Sequence, residues 1–178
     1  GAVTGNTRRY GASLEKIKKV IDPRPGEIMF GLNMIVNKGK TVFVGDTSVH
    51  EYPSSEQLAE MAISSARVVR LFGFDPKVAF VSHSTFGQPL TSRTKHIKNA
   101  VDILKEKDVD FQFDGDMQPD VALNEQYKEL YPFSNIVGNA NILIMPGQHS
   151  AAISYKMMRE LGGAKVIGPL LIGLAQPI

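Results

Sequence analysis

Short apolar runs and amphipathic windows alternate along the chain, and the alternation predicts strands and helices in turn. Residues 13–20 read as a helix, closed off by Asp22-Pro23-Arg24-Pro25-Gly26. Residues 28–36 alternate or run apolar and read as a strand. Asn37-Lys38-Gly39-Lys40 then turns the chain into a second strand at 41–46, which predicts a hairpin. Behind Pro53, Ser54 and Gln57 stand at capping-box spacing and start a helix. Leu58, Met61, Ala62, Ala66, Val69 and Phe72 follow at intervals of three and four on one face, and Gly73 ends the helix.

The second half repeats the theme. A strand at 77–82 leads into a polar loop at 83–92, and Ile97, Ala100, Val101 and Leu104 mark the next helix. Residues 109–113 form a strand that runs out at Asp114-Gly115. A strand at 141–145 ends at Pro146-Gly147, a helix at 151–161 stops at Gly162-Gly163, and Val166-Ile167 opens a last strand. Strand, loop and helix in this rhythm predict an α/β fold, a mainly parallel sheet with flanking helices. No internal repeat or low-complexity linker interrupts it.

Composition narrows the function. The 178 residues suit one domain or a large piece of one, and 43% hydrophobic with 21% charged residues can bury an ordinary core. No apolar run reaches the roughly 18 residues a membrane span needs. The longest is broken by Gly168, Pro169 and Gly173. The net charge is only +2, with no dense Lys/Arg block. Lys16, Lys18 and Lys19, or Arg93, Lys95 and Lys98, read as solvated helix faces and not as a nucleic-acid surface. With no cysteine, disulfides, thiolate metal sites and cysteine nucleophiles are excluded, which is compatible with a cytoplasmic protein. The N-terminus lacks the apolar segment of a signal peptide, and a first residue of Gly points to a piece of a longer chain.

Ligands of parallel α/β sheets bind beyond the carboxyl ends of the strands. Conspicuous polar loops stand at those ends: Ser82-His83-Ser84-Thr85-Phe86-Gly87, Asp114-Gly115-Asp116, Gly147-Gln148-His149-Ser150, and Asp46-Thr47-Ser48-Val49-His50. Hydroxyls and backbone N–H groups of the first suit an anion, although Walker spacing is missing and an ordinary capped turn reads equally well. Asp114, Asp116 and Asp120 do not make an EF-hand, because Gln118 and Pro119 occupy the fifth and sixth positions. A strand ending in Asp-x-Asp is also seen in haloacid-dehalogenase-type phosphohydrolases, but Gln118 stands where that family has Thr or Val. Asp114 can equally cap a turn. No metal site is assigned.

His83 and His149 are candidates for a general base or a phosphate contact, without a visible orienting carboxylate, whereas His50 and His96 read as bland. Arg8 and Arg9, beside Thr7 in Gly5-Asn6-Thr7-Arg8-Arg9-Tyr10, could grip phosphates bidentately or simply flank a helix.

Read in order, several pieces resemble the phosphotransacetylase (phosphate acetyl/butyryltransferase) family along nearly the whole chain. They are Val44-Gly45-Asp46, residues 54–62, Pro76-Lys77-Val78-Ala79-Phe80-Val81-Ser82 with Ser84-Thr85, Asp114-Gly115-Asp116-Met117-Gln118-Pro119-Asp120-Val121-Ala122-Leu123, Asn139-Ala140-Asn141, and Ile167-Gly168-Pro169-Leu170-Leu171-Ile172-Gly173-Leu174. Phe86-Gly87 after Ser84-Thr85, His50 where transferases tend to have Asn, Val121 for Ala, and Gly5-Asn6-Thr7-Arg8-Arg9-Tyr10-Gly11 look like the branch fused behind a malic enzyme module.

The resemblance implies an isocitrate/isopropylmalate dehydrogenase-like three-layer αβα fold, of which residues 1–178 are the second half, incomplete at both ends. It implies an acetyl-CoA effector and a homodimer through this domain, within a larger homo-oligomer of the full-length protein. NADP and a divalent metal are expected only in the attached malic enzyme domain. Thr7, Arg8, Arg9, Ser82, Ser84, Thr85, Gly87, Asp114 and His149 are the expected ligand contacts. No catalytic residue is assigned, because the chain stops before the family's Asn-Asp-Leu-Ser-Arg-Gly-like motif. The alternative is an active phosphate acetyltransferase interconverting acetyl-CoA and acetyl phosphate.

Overall fold

The structure, a computed structural model, describes Val3, Thr7 and residues 9–176, with Lys128 described for its backbone alone. Helix α1 (Tyr10–Lys18) precedes the hairpin of β1 (Phe30–Asn37) and β2 (Lys40–Gly45). Lys38 and Gly39 turn it with φ of 48° and 78°, the paired positive angles of the tight turn that matches strand twist. Helix α2 (Ser55–Leu71), β3 (Lys77–Val81), α3 (Ser92–Lys105), β4 (Gln112–Met117), short α4 (Pro119–Leu123) and α5 (Glu125–Lys128), β5 (Ile142–Ile144), α6 (Gln148–Gly162) and β6 (Lys165–Ile172) follow. The strands form one sheet in the order β4-β3-β5-β2-β1-β6. β2, β5, β3 and β4 are parallel, and β1 runs antiparallel to both β2 and β6.

A period of two divides the strand residues between two cores. Phe43, Val78, Phe80, Ile142 and Ile144 face one side, where Leu58, Met61, Ala62, Val69, Ile97, Val101 and Leu104 of α2 and α3 cover them. Val44, Ala79, Val81, Leu143 and Met145 face the other, against Val121 and Ala122 of α4 and Ala151 of α6. Both faces of the central strands are therefore dry, which is why they read as continuous apolar runs. The layers are helix, sheet, helix, as expected. Leu14 of α1 joins Met29 and Leu174 in a small third cluster.

Capping boxes start both α2 and α3: Ser54 with Gln57, as the spacing predicts, and Thr91 with Thr94. Gly163, left-handed at φ 65°, closes α6. Among the described residues no helix is long and apolar enough to cross a membrane.

Two predicted elements shift. α1 starts three residues earlier than expected and ends at Lys18. The strand placed at 109–113 lies at Gln112–Met117, because its partner β3 begins at Lys77, opposite Gln112. Asp114, Gly115 and Asp116 are thus inside the strand and not beyond its end. α4 and α5, each under six residues, were too short for periodicity to reveal.

Candidate functional site

The carboxyl ends of β2, β5, β3 and β4 form one continuous edge, and three acidic residues buried there organise its loops. The first is Asp46, immediately after β2 and 0% exposed. One carboxylate oxygen accepts the backbone N–H of Gly31 (2.9 Å), Ser48 (2.8 Å) and Val49 (3.1 Å). The other accepts the N–H of His50 (2.7 Å) and lies 2.9 Å from the His50 Nδ1. A buried carboxylate survives only with this degree of satisfaction, and in return it folds 46–50 into a compact loop.

Asp116, 1% exposed at the end of β4, plays the same part for the loop after β3. It accepts the Ser84 hydroxyl and the Gly87 N–H (2.9 Å). The Thr85 hydroxyl accepts the Gln118 N–H at 3.3 Å, tying the loop to the start of α4. Asp114, 6% exposed, accepts its neighbour Gly115 N–H (2.9 Å) and Asn135 N–H (2.7 Å). It therefore caps a turn, one of the two roles the sequence left open.

Between these loops opens a cleft of about 270 Å³ lined by Phe86, Asp114, Asp116, Phe133, Lys98 and Lys105. Phe86 packs on Tyr131 and Phe133, with ring centroids at 5.5 and 4.8 Å, and forms an aromatic rim. A second opening, of about 460 Å³, lies where the capped starts of α2 and α3 meet Tyr52, Arg93 and Pro146. His96 there is structural. Its Nε2 donates to the Pro53 carbonyl (2.8 Å) and its Nδ1 meets the Ser55 hydroxyl (3.0 Å).

At the end of β5, α6 begins against the Asp46 loop. Gln148 N–H donates to the His50 carbonyl (3.3 Å), and a Cβ on Gly147 would lie 2.5 Å from the Glu51 carbonyl oxygen, so only glycine permits the approach. His149 Nε2 lies 3.0 Å from a Glu51 carboxylate oxygen and its ring stacks on Tyr52, with the His149 and Glu51 side chains both more than half exposed. Tyr10, opening α1, lies beside Ser48. Burial pushes its phenol above the usual range; the Ser48 hydroxyl pulls the other way, and the charge of Asp46 adds to the rise. The phenol stays a neutral donor.

Of the expected contacts, Ser82, Ser84 and Thr85 are buried, and the hydroxyls of Ser84 and Thr85 brace their own loop. Gly87, Asp114 and His149 are on the same edge of the sheet, Thr7 and Arg9 are exposed ahead of α1, and Arg8 lies outside the described residues. Sequence reasoning missed two pairings. Glu51 orients His149, 98 residues away, and no local spacing announces it. Asp46 orients His50 across four residues just past a strand end, and that Asp-x-x-x-His spacing could have been noticed.

The sequence profile of the phosphate acetyl/butaryl transferase family matches residues 1–178. The chain is 47% identical to an NADP-dependent malic enzyme of Rhizobium meliloti (strain 1021) over 178 residues, which is all of this chain and 23% of the relative. It is 35% identical to a phosphate acetyltransferase of Clostridium acetobutylicum over 188 residues, all of this chain and 56% of that protein. A phosphotransacetylase structure from Streptococcus pyogenes superposes with a TM-score of 0.89 at 28% identity, covering 97% of this chain and 54% of the other. The chain thus spans about a quarter of the malic enzyme it matches and about half of the transferases.

Proposed function

Since the chain belongs to the phosphate acetyl/butaryl transferase family, we propose that it is the acetyl-CoA-sensing and dimerising domain of a cytoplasmic NADP-dependent malic enzyme. The attached catalytic domain would oxidise and decarboxylate malate to pyruvate, and NADP and a divalent metal would belong there. The observation that carries the reading is the likeness to a malic enzyme along the full length of this chain, closer than the likeness to the transferases. The polar edge of the sheet supports it as a ligand site. Thr7, Arg8 and Arg9 would hold the phosphates of acetyl-CoA, and the acyl end would reach the cleft lined by Phe86 and Asp114, next to Gly87, whose loop Ser82, Ser84 and Thr85 keep in shape. His149 would line the same edge. Control of malate turnover requires that acetyl-CoA bind one state of the enzyme better than another.

Calorimetric titration tests this. Acetyl-CoA binds without forming acetyl phosphate from added phosphate, and Arg9→Ala weakens it about tenfold or more, the loss of one charge-assisted phosphate contact. Unchanged affinity in Arg9→Ala removes that contact from the site. Acetyl phosphate formation establishes the second reading, an active transferase, which the shared fold and the Clostridium relative favour.

The homodimer has its own support. Ile153, Met157 and Leu161 are 57%, 54% and 82% exposed at intervals of four on α6, an apolar stripe along one helix face. Met157→Glu converts dimers to monomers in sedimentation velocity while the circular dichroism of the fold stays unchanged. Dimers that persist in this variant place the contact elsewhere.

A further inference from the structure

The edge of the sheet opposite the candidate site carries a cavity that none of the roles above uses. It lies where β2 and β5 start and β1 ends, and its volume is about 480 Å³. Pockets for small molecules span roughly 300–1,000 Å³ and are mostly apolar. The floor here fits that description: Ile35, Val42 and Leu143 come from the sheet, Leu123 from α4 and Met158 from α6. The opening has a cause in the covering helices. α4 is only five residues long, and α6 commits only Ala151 fully to the core, so the sheet face between them is left partly bare. One wall is fixed, because the Ala140 N–H donates to the Ala122 carbonyl at 2.9 Å and ties the end of α4 to the start of β5.

The mouth is cationic. A period of two puts Lys40 on the same face of β2 as Val42, and Lys38 stands in the turn just before it. Both lysines are exposed and line the opening. Among the described residues neither makes an ion pair or hydrogen bond, and no carboxylate lines the cavity. The cleft at the other edge differs, since Lys98 and Lys105 share its lining with Asp114 and Asp116. Asn139, on the wall, has its carboxamide oxygen buried with no hydrogen-bond partner, so this wall is not a finished piece of protein packing. Neighbouring Asn141 shows the contrast: it accepts the Lys77 N–H at 2.8 Å and donates to the Asp75 carbonyl at 2.7 Å.

We propose that this cavity is a second ligand site, for a medium-chain carboxylate. The apolar chain lies along the floor, and the carboxylate stays at the mouth between Lys38 and Lys40. Apolar burial supplies the affinity, and the two unpaired ammonium groups choose the sign of the head. The site does not rest on the acetyl-CoA reading, because the two lie at opposite ends of the strands.

Octanoate is the probe, with octylammonium as the same chain carrying the opposite charge. The readout is the Met158 methyl resonance, identified by its disappearance in Met158→Leu. Octanoate at millimolar concentration shifts this resonance to saturation, and octylammonium binds about tenfold more weakly. Lys38→Gln/Lys40→Gln changes only exposed side chains, and it brings the two probes to within about twofold of each other. A Met158 methyl that octanoate leaves unmoved, equal binding of the two probes, or discrimination that survives in the double variant overturns the proposal. So does a Met158 resonance that follows protein dilution and ignores octanoate, which would put a second copy of the chain in the groove. Acetyl-CoA titrated into the same samples reports separately on the acetyl-CoA reading: its failure to bind, with octanoate still bound, removes that reading and leaves this site intact. Strict competition between acetyl-CoA and octanoate would merge the two sites and sink this one.

Discussion

Asp46→Ala is expected to cost about 3–5 kcal/mol of stability, enough to leave a marginal domain largely unfolded at growth temperature. Alanine removes the shared acceptor of four backbone N–H groups and one imidazole nitrogen, while the donors stay where the fold holds them. Water cannot easily replace the acceptor at a position that is 0% exposed. Gly31 belongs to β1 and residues 48–50 to the loop after β2, so the loss also separates the hairpin from the edge it supports. Urea denaturation checks it: the midpoint falls while the slope stays that of the parent. Asp46→Asn should be milder, since it keeps one good acceptor but turns an NH₂ group towards donors. A loss of less than about 1 kcal/mol in Asp46→Ala would show that the loop rearranges to satisfy its own amides.

Gly115→Ala ranks next, at about 3 kcal/mol. Gly115 has φ of 154°, a conformation side chains of L-residues rarely adopt, and a Cβ there would meet the Phe80 carbonyl oxygen and Cβ at 2.8 Å. Phe80 is fully buried in the centre of the sheet and cannot retreat. The neighbours on either side are Asp114 and Asp116, which hold the turn at Asn135 and the loop at Ser84 and Gly87. A displaced Gly115 therefore moves both walls of the cleft. Acetyl-CoA affinity should fall along with the thermal midpoint, whereas Phe133→Ala on the exposed rim should alter affinity alone. If Gly115→Ala melts at the parent temperature, the close approach of β3 and β4 is looser than the contact distances imply.

Much of this architecture was legible before any coordinates. The apolar runs 78–81 and 142–145 have both faces buried, and the short strands they announce are where they were expected. The Ser54–Gln57 box was read from spacing alone because a cap is a local device. The register at β4 was not readable, since a strand starts where its partner starts, and Lys77 is 35 residues from Gln112. The site divides along the same line. That polar loops gather at one edge follows from the parallel topology. Which hydroxyls face outward does not, because it depends on Asp116 drawing Ser84 inward from 32 residues away. Ser-Thr-Phe-Gly thus has the look of an anion loop in sequence, and in the fold two of its side chains serve as struts.

The thin attachment of α6 has a dynamic consequence. Over 15 residues it commits only Ala151 fully to the core, while α2 buries nine residues along 17. Sub-global opening follows burial, so in a protomer whose Ile153, Met157 and Leu161 face is uncovered α6 should detach transiently at a free-energy cost well below that of melting the sheet, and its amides should exchange with solvent sooner. When it lifts, the Gln148–His50 hydrogen bond and the His149–Glu51 pair break with it. An effector that grips this edge would then draw part of its influence from suppressing that opening, and the signal sent onward would be a change in how often a helix is present.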